Sequence, residues 1–261
     1  MRDLLRSSVS AHRGQTIVGV LVMIAMLGSC AQRGTATSGF AKPNHVAAFS
    51  TAQMGIPHPL EWQPWIFSRF VRHTEYTVIE EQSNRFLRAR SETAASGLLQ
   101  DVDIDPRAKH IKWRWRVPHL LLTADLNRRG SDDSPARVMV SFDGDMEKLD
   151  VEERAKAGMV KLISGRHMPY ATLMYVWDNK IPVGTILENP HTSRAKLIVV
   201  ASGPAGLGEW LMYSRNLVAD FERAFGETPG KITAVGVMTD SNATESNAIA
   251  FYGDIVISED P

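Results

Sequence analysis

A segment of seven residues, 111–117, constrains the fold more than any other because its residues alternate strictly between apolar and basic. In order, the segment reads Ile111, Lys112, Trp113, Arg114, Trp115, Arg116 and Val117. Successive side chains of a β-strand point to opposite faces, so this alternation predicts a strand with one apolar face and one basic face. Pro118 follows and cannot donate to a further ladder hydrogen bond. The strand is therefore predicted to end there.

Further strand signals recur along the chain and bring the predicted total to about nine. The other segments rich in β-branched, aromatic or alternating residues are 76–80, 85–91, 137–143, 171–177, 196–201, 232–239 and 250–258. Two of them, 171–177 and 196–201, are apolar on both faces, as strands covered on both sides are. Many short strands separated by turn residues predict a mainly β fold, either a β-sandwich or a jelly roll.

Two helices are predicted at the periphery of this sandwich, over about 146–164 and about 209–225. In the first, Val151, Met159 and Leu162 recur at helical spacing, and Asp145 can cap its start. In the second, Trp210, Phe221 and other apolar residues share one stripe, and Gly226 follows. Both stripes are expected to pack against the core.

The first 29 residues have the three parts of an export signal. Arg2, Arg6 and Arg13 precede an uncharged segment over 17–27, which is too short for a helix that needs about 20 residues to cross a bilayer. The following run, Leu27-Gly28-Ser29-Cys30, resembles the bacterial lipobox. We therefore predict a lipoprotein signal peptide over 1–29 and a lipid on Cys30, with a transmembrane helix or an ordinary cleaved signal as alternatives.

This reading predicts a location in the cell envelope, facing the periplasm. Ala31 follows the cysteine and slightly favours the outer membrane. Beyond Cys30, residues 30–59 are rich in small, polar and proline residues and are predicted to form a flexible tether. Residues 60–261 are predicted to form a single β-sandwich domain.

Composition excludes several classes of function. Lys and Arg total 29 and Asp and Glu total 29, so the chain has no strong positive field for nucleic acid. Cys30 is the single cysteine, which excludes disulfides, cysteine-ligated zinc and a cysteine nucleophile once it is lipidated. The glycine-rich loop 203–208 has the order G-x-x-G-x-G, which does not match the dinucleotide-binding order. No cofactor is predicted.

The candidate ligand site lies at the end of the covered segment 171–177. Tyr175 and Trp177 could stack on sugar rings, and Asp178 and Asn179 could accept and donate hydrogen bonds to hydroxyls. The remaining candidate ligand-binding residues are Arg194, which could fix an acidic group, and Asp240 and Asn242. The alternative reading places Tyr175 and Trp177 in the core and Asp178 and Asn179 in a turn.

Two further possibilities concern the acidic residues. Asp240, Asn242 and Thr244 offer oxygen atoms at alternate positions, so a structural calcium ion is possible, although the pattern is not that of an EF-hand. The alternative catalytic residues are Asp132, Asp133, Asp178 and Asp240, since a pair of carboxyl groups could hydrolyse a glycosidic bond. Pairing of Asp132 or Asp133 with Arg137 is the structural alternative.

Taken together, these segments resemble a bacterial family, the domain of unknown function numbered 3047. The resembling stretches are 87–91, 113–117, 132–144, 171–179, 189–194, 215–217, 225–226 and 237–255. They span roughly residues 60–258, and the family resemblance implies a fold without implying an activity. The final polar loop and strand are also similar to the end of galactose-binding-like jelly rolls, an analogy of architecture only.

The function predicted from these features is a non-catalytic, lipid-anchored envelope protein that binds a glycan or another polar envelope ligand. An envelope enzyme acting on a polysaccharide, of glycoside hydrolase or lyase type, is one alternative. A structural or assembly lipoprotein that recognises protein is the other. The sequence leaves the ligand and the oligomeric state open.

Overall fold

The computed structural model of the chain describes residues 41–66, 68–105, 107–164 and 167–260. The predicted signal peptide, Cys30 and the first part of the predicted tether lie outside these residues. The described part of that tether packs on the domain: Phe49 is fully buried, and the Gln100 side chain hydrogen-bonds to the backbone of His45 and Ala47. Residues 41–59 therefore belong to the folded unit.

Thirteen strands and two α-helices occur within the described residues, with a short 3-10 helix over Met146–Lys148. The strands are β1 (Gln63–Trp65), β2 (Glu75–Glu81), β3 (Asn84–Glu92), β4 (Ala95–Ile104), β5 (His110–Arg116), β6 (Arg137–Phe142), β7 (Ala171–Asp178), β8 (Ile186–Asn189), β9 (Thr192–Ser202), β10 (Leu211–Asn216), β11 (Ile232–Asp240), β12 (Asn247–Tyr252) and β13 (Val256–Ser258). The helices are α1 (Val151–Ser164) and α2 (Leu217–Phe225). The predicted mainly β sandwich with two helices is confirmed.

The strands form two sheets. Sheet one has the order β1-β4-β11-β6-β7-β9-β8, and sheet two has the order β10-β5-β12-β3-β2, with β13 also paired to β5. All neighbours are antiparallel except β7 and β9, which are parallel. The two layers bury one main core between them, as a sandwich does.

The alternation in 111–117 is confirmed and builds the centre of this core. Trp113 and Trp115 of β5 face inward, where the Trp113 ring lies 4.8 Å from Tyr175 and the Trp115 ring lies 6.5 Å from Trp177 of sheet one. Tyr213 of β10 stacks on Trp113 at 5.0 Å. Because the odd positions of β5 fill the core, its basic even positions lie on the outer face of sheet two.

Four strands that the sequence pattern does not reveal, β1, β4, β8 and β10, and the division of segment 250–258 into β12 and β13 explain the larger strand count. In β4, buried Ser96 and Gln100 interrupt the apolar pattern, and their side chains hydrogen-bond to backbone of neighbouring loops instead of water. In β10, residues that were predicted as the start of the second helix pair along their whole length with β5. The helix begins only at Leu217, where the Asn216 side chain caps it by accepting from the Ala219 N–H.

The two helices differ in how they contact the sheets. Leu217 and Phe221 of α2 are buried as predicted. In α1, however, Val151, Met159 and Leu162 are exposed, so the prediction that its stripe packs on the core is wrong. The helix is held instead by Glu153, a buried carboxylate that accepts hydrogen bonds from Thr192 and Ser193 of β9. No helix among the described residues is both long and apolar enough to cross a bilayer.

Candidate functional site

The outer face of sheet two carries an open groove, here called the arginine–tryptophan groove. It has a volume of about 570 Å³. The residues that line it are Glu81, Gln82, Asn84, Phe86, Arg114, Arg116 and Trp210. They come from the β2–β3 hairpin, from β5 and from the loop before β10, so the groove joins three parts of the chain that are distant in sequence.

The groove is built on the basic face of β5. Arg114 and Arg116 are even positions of that strand and therefore point away from the core. Arg116 lies beside Phe251 of β12, with its guanidinium carbon 4.2 Å from the ring centroid. Phe251 pairs in turn with Arg88 of β3. A row of basic and aromatic side chains thus crosses the sheet.

Gly253 gives Arg114 the room to lie across the sheet. Gly253 directly follows β12, and its N–H donates to the Arg114 carbonyl oxygen of β5 at 2.9 Å, so the two residues are neighbours. A Cβ atom on residue 253 would lie 2.5 Å from Cγ and 2.6 Å from Nε of Arg114. Such contacts are too short, so a side chain at this position would displace the guanidinium.

Trp210 forms the aromatic wall of the groove. It is half-buried and meets the fully buried Phe86 ring edge-on at 4.9 Å. The guanidinium carbons of Arg114 and Arg116 lie 4.8 Å and 5.2 Å from its ring centroid. Cation–π contacts at these distances hold arginine and indole together while both stay accessible from one side. The result is an apolar surface next to fixed positive charge.

The charges of the groove are only partly compensated. Nη2 of Arg116 donates to both carboxylate oxygens of Glu81, at 3.0 and 2.9 Å, but its buried Nε has no partner within the described part of the chain. Arg114 contacts no carboxylate among the described residues. The same holds for Arg88 and Lys112, which flank the groove on the same face. This face therefore carries a local excess of positive charge.

The β2–β3 turn places polar side chains at the rim of the groove. Gln82 and Ser83 connect the paired residues Glu81 and Asn84, and both adopt left-handed backbone conformations with φ of 48° and 62°. Two-residue hairpin turns of this kind usually use Asn-Gly, because residues with a Cβ atom are disfavoured there. The strained turn sets the amide groups of Gln82 and Asn84 beside the groove, and such strain is often found at binding sites.

The structure places the predicted aromatic platform inside the core. Tyr175 and Trp177 are 0% exposed. The Tyr175 hydroxyl donates to Asp220 at 2.9 Å, and the Trp177 indole N–H donates to the Gly203 carbonyl oxygen at 3.1 Å. Neither ring has a free face for a sugar, because β7 is covered on both sides. The alternative reading, in which these rings are core residues, describes their surroundings.

The other predicted ligand-binding residues have structural contacts and do not converge on one cleft. Asp178 caps a turn by accepting from the N–H groups of Lys180 and Ile181, and the Asn179 amide donates to the carbonyl oxygens of Leu121 and Ala124. Arg194 pairs with Glu227 at 2.8 Å. Its charge is thus already compensated, away from the arginine–tryptophan groove.

Asp240 forms part of a buried charged cluster with Arg137 and Asp133. Arg137 donates to both Asp240 oxygens at 3.1 Å, and it binds the backbone carbonyl of Asp132 instead of a carboxylate of Asp132 or Asp133. Burial, helped by the charge of Asp133, outweighs the attraction of Arg137 and raises the pKa of Asp240 to about 6. The cluster joins β6 to the end of β11.

Asp133 holds the loop in which the calcium pattern occurs. Its carboxylate accepts from the N–H groups of Ala243 and Thr244 and from the Thr244 hydroxyl. Within the described residues, no group of three or more His, Cys, Asp or Glu side chains is arranged to hold a metal ion. Asp132, the last alternative catalytic residue, accepts from the Gly130 N–H and contacts His191. Asn242 lies half-buried in the same loop.

The groove is not predictable from local sequence patterns, because the spacing of apolar residues around its central residue, Trp210, is helical. Trp210 was included in the stripe of the second predicted helix, whereas it precedes β10 and lies over the outer face of β5. The signal in the sequence was the basic face of segment 111–117, because three successive positions on one face of that strand are basic and concentrate positive charge there. Local spacing could not identify Trp210 as the residue that lies over this face.

Comparisons with known proteins give a family and a distant structural likeness. Among solved structures, the chain is similar to the K3 cleaved adhesin domain of Lys-gingipain from Porphyromonas gingivalis w83, with 8% sequence identity and a TM-score of 0.38. That similarity covers 82% of this chain and 99% of the adhesin domain. No curated protein matches the chain. The model of one family matches residues 60–256, which is more than half of the chain. The chain therefore belongs to the family described as "Protein of unknown function (DUF3047)".

Proposed function

We propose that this protein is a non-catalytic, lipid-anchored protein of the cell envelope that binds a glycan in the arginine–tryptophan groove. The observation that carries the proposal is the half-buried Trp210 ring on the wall of an open groove, next to the side chains of Gln82, Asn84 and Glu81. Sugars present apolar C–H faces and many hydroxyls, so they need an aromatic surface beside amide and carboxylate groups.

The proposed anchor rests on the sequence of the leader. The basic start, the short apolar segment and the single cysteine after Gly28 and Ser29 support lipidation of Cys30. A lipid on Cys30 would hold the sandwich at the membrane surface, where envelope glycans are within reach. In this proposal, Cys30→Ser releases the protein from the membrane fraction.

The alternative enzymatic role draws less support from the carboxyl groups predicted for it. Asp133, Asp178 and Asp240 are buried and their oxygens accept hydrogen bonds that hold turns and strands. A general acid or base must reach the substrate. These side chains act on the protein's own backbone instead, which favours a binding role over catalysis.

Replacing Trp210 tests the groove directly. We expect Trp210→Ala to weaken glycan binding by the full-length chain about tenfold, because aromatic contacts contribute up to about 1.5 kcal/mol. Isothermal titration with soluble oligosaccharides measures the affinity. Trp65→Ala is the matched control, since Trp65 is also half-buried but lies on β1 of the other sheet. Equal affinities of the wild type and Trp210→Ala, or binding of no oligosaccharide at all, would contradict the proposal.

A further inference from the structure

We infer that the arginine–tryptophan groove selects acidic glycans, in which the sugar rings carry carboxylate or phosphate groups. This inference rests on the proposed function and goes further by naming the class of glycan. The observations behind it are the uncompensated charge of Arg114, the way in which Arg114 is held, and the position of the indole ring relative to both arginines.

The local charge of the groove favours an anionic ligand. The whole chain is neutral, with 29 basic and 29 acidic residues, so positive charge on one face must be matched by negative charge elsewhere. Arg114, Arg88 and Lys112 all belong to sheet two's outer face, and none contacts a carboxylate among the described residues. Glu81 is the acidic residue that lines the groove, and it engages Nη2 of Arg116. Arg114 is thus left to attract an anion.

Arg114 is fixed in place before any ligand arrives. The absence of a side chain at Gly253 lets the Arg114 stem lie against the neighbouring strand, and the Trp210 ring covers its guanidinium at 4.8 Å. A long side chain normally loses rotamer freedom when it binds, and this cost is reduced when the side chain is already held. The planar guanidinium offers paired N–H donors, which match the oxygens of a carboxylate or a phosphate.

The groove combines an aromatic ring with positive charge. Both guanidinium carbons lie within about 5 Å of the Trp210 centroid, at 4.8 and 5.2 Å. An acidic sugar has the matching features at a similar spacing, because its apolar ring face and its anionic group belong to the same residue. A neutral sugar offers the arginine donors only hydroxyl and ring oxygens, which form weaker hydrogen bonds with a guanidinium than a carboxylate or a phosphate does.

The experiment compares ligands that differ only in charge. The full-length chain is titrated with oligogalacturonate and with its methyl ester, and in parallel with phosphomannan and neutral mannan. We expect at least one acidic member to bind about tenfold or more tightly than its neutral partner. Its affinity should fall as the salt concentration rises, because the interaction of exposed charges is screened. The two pairs distinguish carboxylate from phosphate as the anionic group.

Variants locate the effect at Arg114. We expect Arg114→Gln to weaken binding of the acidic ligand about tenfold and to change binding of the neutral ligand less than threefold. Arg154→Gln is the matched control, since it removes the same charge from exposed α1, outside both sheets. If Arg154→Gln weakens acidic binding as much as Arg114→Gln does, a general charge effect replaces the inference.

A second variant keeps the charge and moves it. We expect Gly253→Ala to displace Arg114 and to weaken acidic binding about as much as Arg114→Gln, because the added Cβ would occupy the space of the arginine stem. Equal affinity for acidic and neutral members of both pairs would overturn the inference and leave the proposed function standing. Absence of binding to all four ligands would overturn both.

Discussion

Replacing Arg137 by methionine is expected to lower the free energy of unfolding by about 3–5 kcal/mol, because removing one partner of a buried ion pair leaves a buried charge uncompensated. The Arg137 side chain is 4% exposed and that of its partner Asp240 is 7% exposed. Asp133, also buried, adds a second negative charge nearby. Methionine keeps much of the volume of the arginine stem, so the expected loss arises from charge and not from a cavity.

The pH dependence of this loss distinguishes charge from packing. In the wild type the pKa of Asp240 is raised from its ordinary value of 3.8 to about 6. Between these values the folded protein binds a proton that the unfolded chain releases, so this group makes the protein more stable as the pH falls from about 7 to 4. Without Arg137 the pKa of Asp240 rises further. The deficit of the variant should therefore be largest above pH 7 and smaller at pH 5.

Urea unfolding of the wild type and of Arg137→Met at pH 5 and pH 8 measures this difference. The control is Arg154→Met, which removes an exposed arginine whose partner Glu147 is also exposed, and it should change the free energy of unfolding by less than about 1 kcal/mol. A deficit of Arg137→Met below about 1 kcal/mol at both pH values would show that the buried ion pair does not stabilise the fold.

Truncation of the aromatic core at Trp113 is expected to have an effect of similar size. Trp113→Ala should lower the free energy of unfolding by about 3–5 kcal/mol, as removal of a buried tryptophan does. The ring is 2% exposed and contacts Trp115, Tyr175 and Tyr213, at centroid distances of 5.7, 4.8 and 5.0 Å. It thereby connects β5 to its neighbour β10 and to β7 of the other sheet.

A matched pair of phenylalanine variants separates packing from hydrogen bonding in this core. The Trp113 indole N–H has no hydrogen-bond partner within the described residues, whereas that of Trp177 donates to the Gly203 carbonyl oxygen. Both substitutions remove the same atoms from buried sites. Trp177→Phe should therefore cost about 1 kcal/mol more than Trp113→Phe in urea unfolding, which is the typical contribution of one hydrogen bond. If Trp177→Phe lowers the free energy of unfolding by no more than Trp113→Phe does, the assignment of a hydrogen bond to Trp177 alone is contradicted.

The parts of the fold that were predictable from the sequence are those set by local alternation. Segment 111–117 identifies its buried and exposed faces by itself, because a strand's pleat has a period of two. The sequence of strand β4 does not identify its buried face, because buried Ser96 and Gln100 are polar. Their side chains hydrogen-bond to the backbone of loops that are distant in sequence. Strand β10 has helical spacing by coincidence, and its pairing with β5 decides its structure. Tertiary contacts override local preference at both places.

The candidate site was less predictable than the fold because it is made of non-local contacts. The position of Gly253 beside Arg114 depends on the pairing of chain segments about 140 residues apart. The same holds for Asp240 and Arg137, which are separated by 103 residues. At Tyr175 and Trp177 the apolar character of both faces of the segment was the correct signal, and it indicated burial instead of an exposed platform.

The central claim is that a glycan binds beside Trp210 on the outer face of sheet two. The chain has six tryptophans, and each contributes one indole N–H signal in a nitrogen-15 NMR spectrum. Addition of the tightest-binding oligosaccharide is predicted to shift the signal of Trp210, while the signals of buried Trp62, Trp115 and Trp177 stay in place. A shift of the Trp177 signal, with that of Trp210 unchanged, would contradict the account.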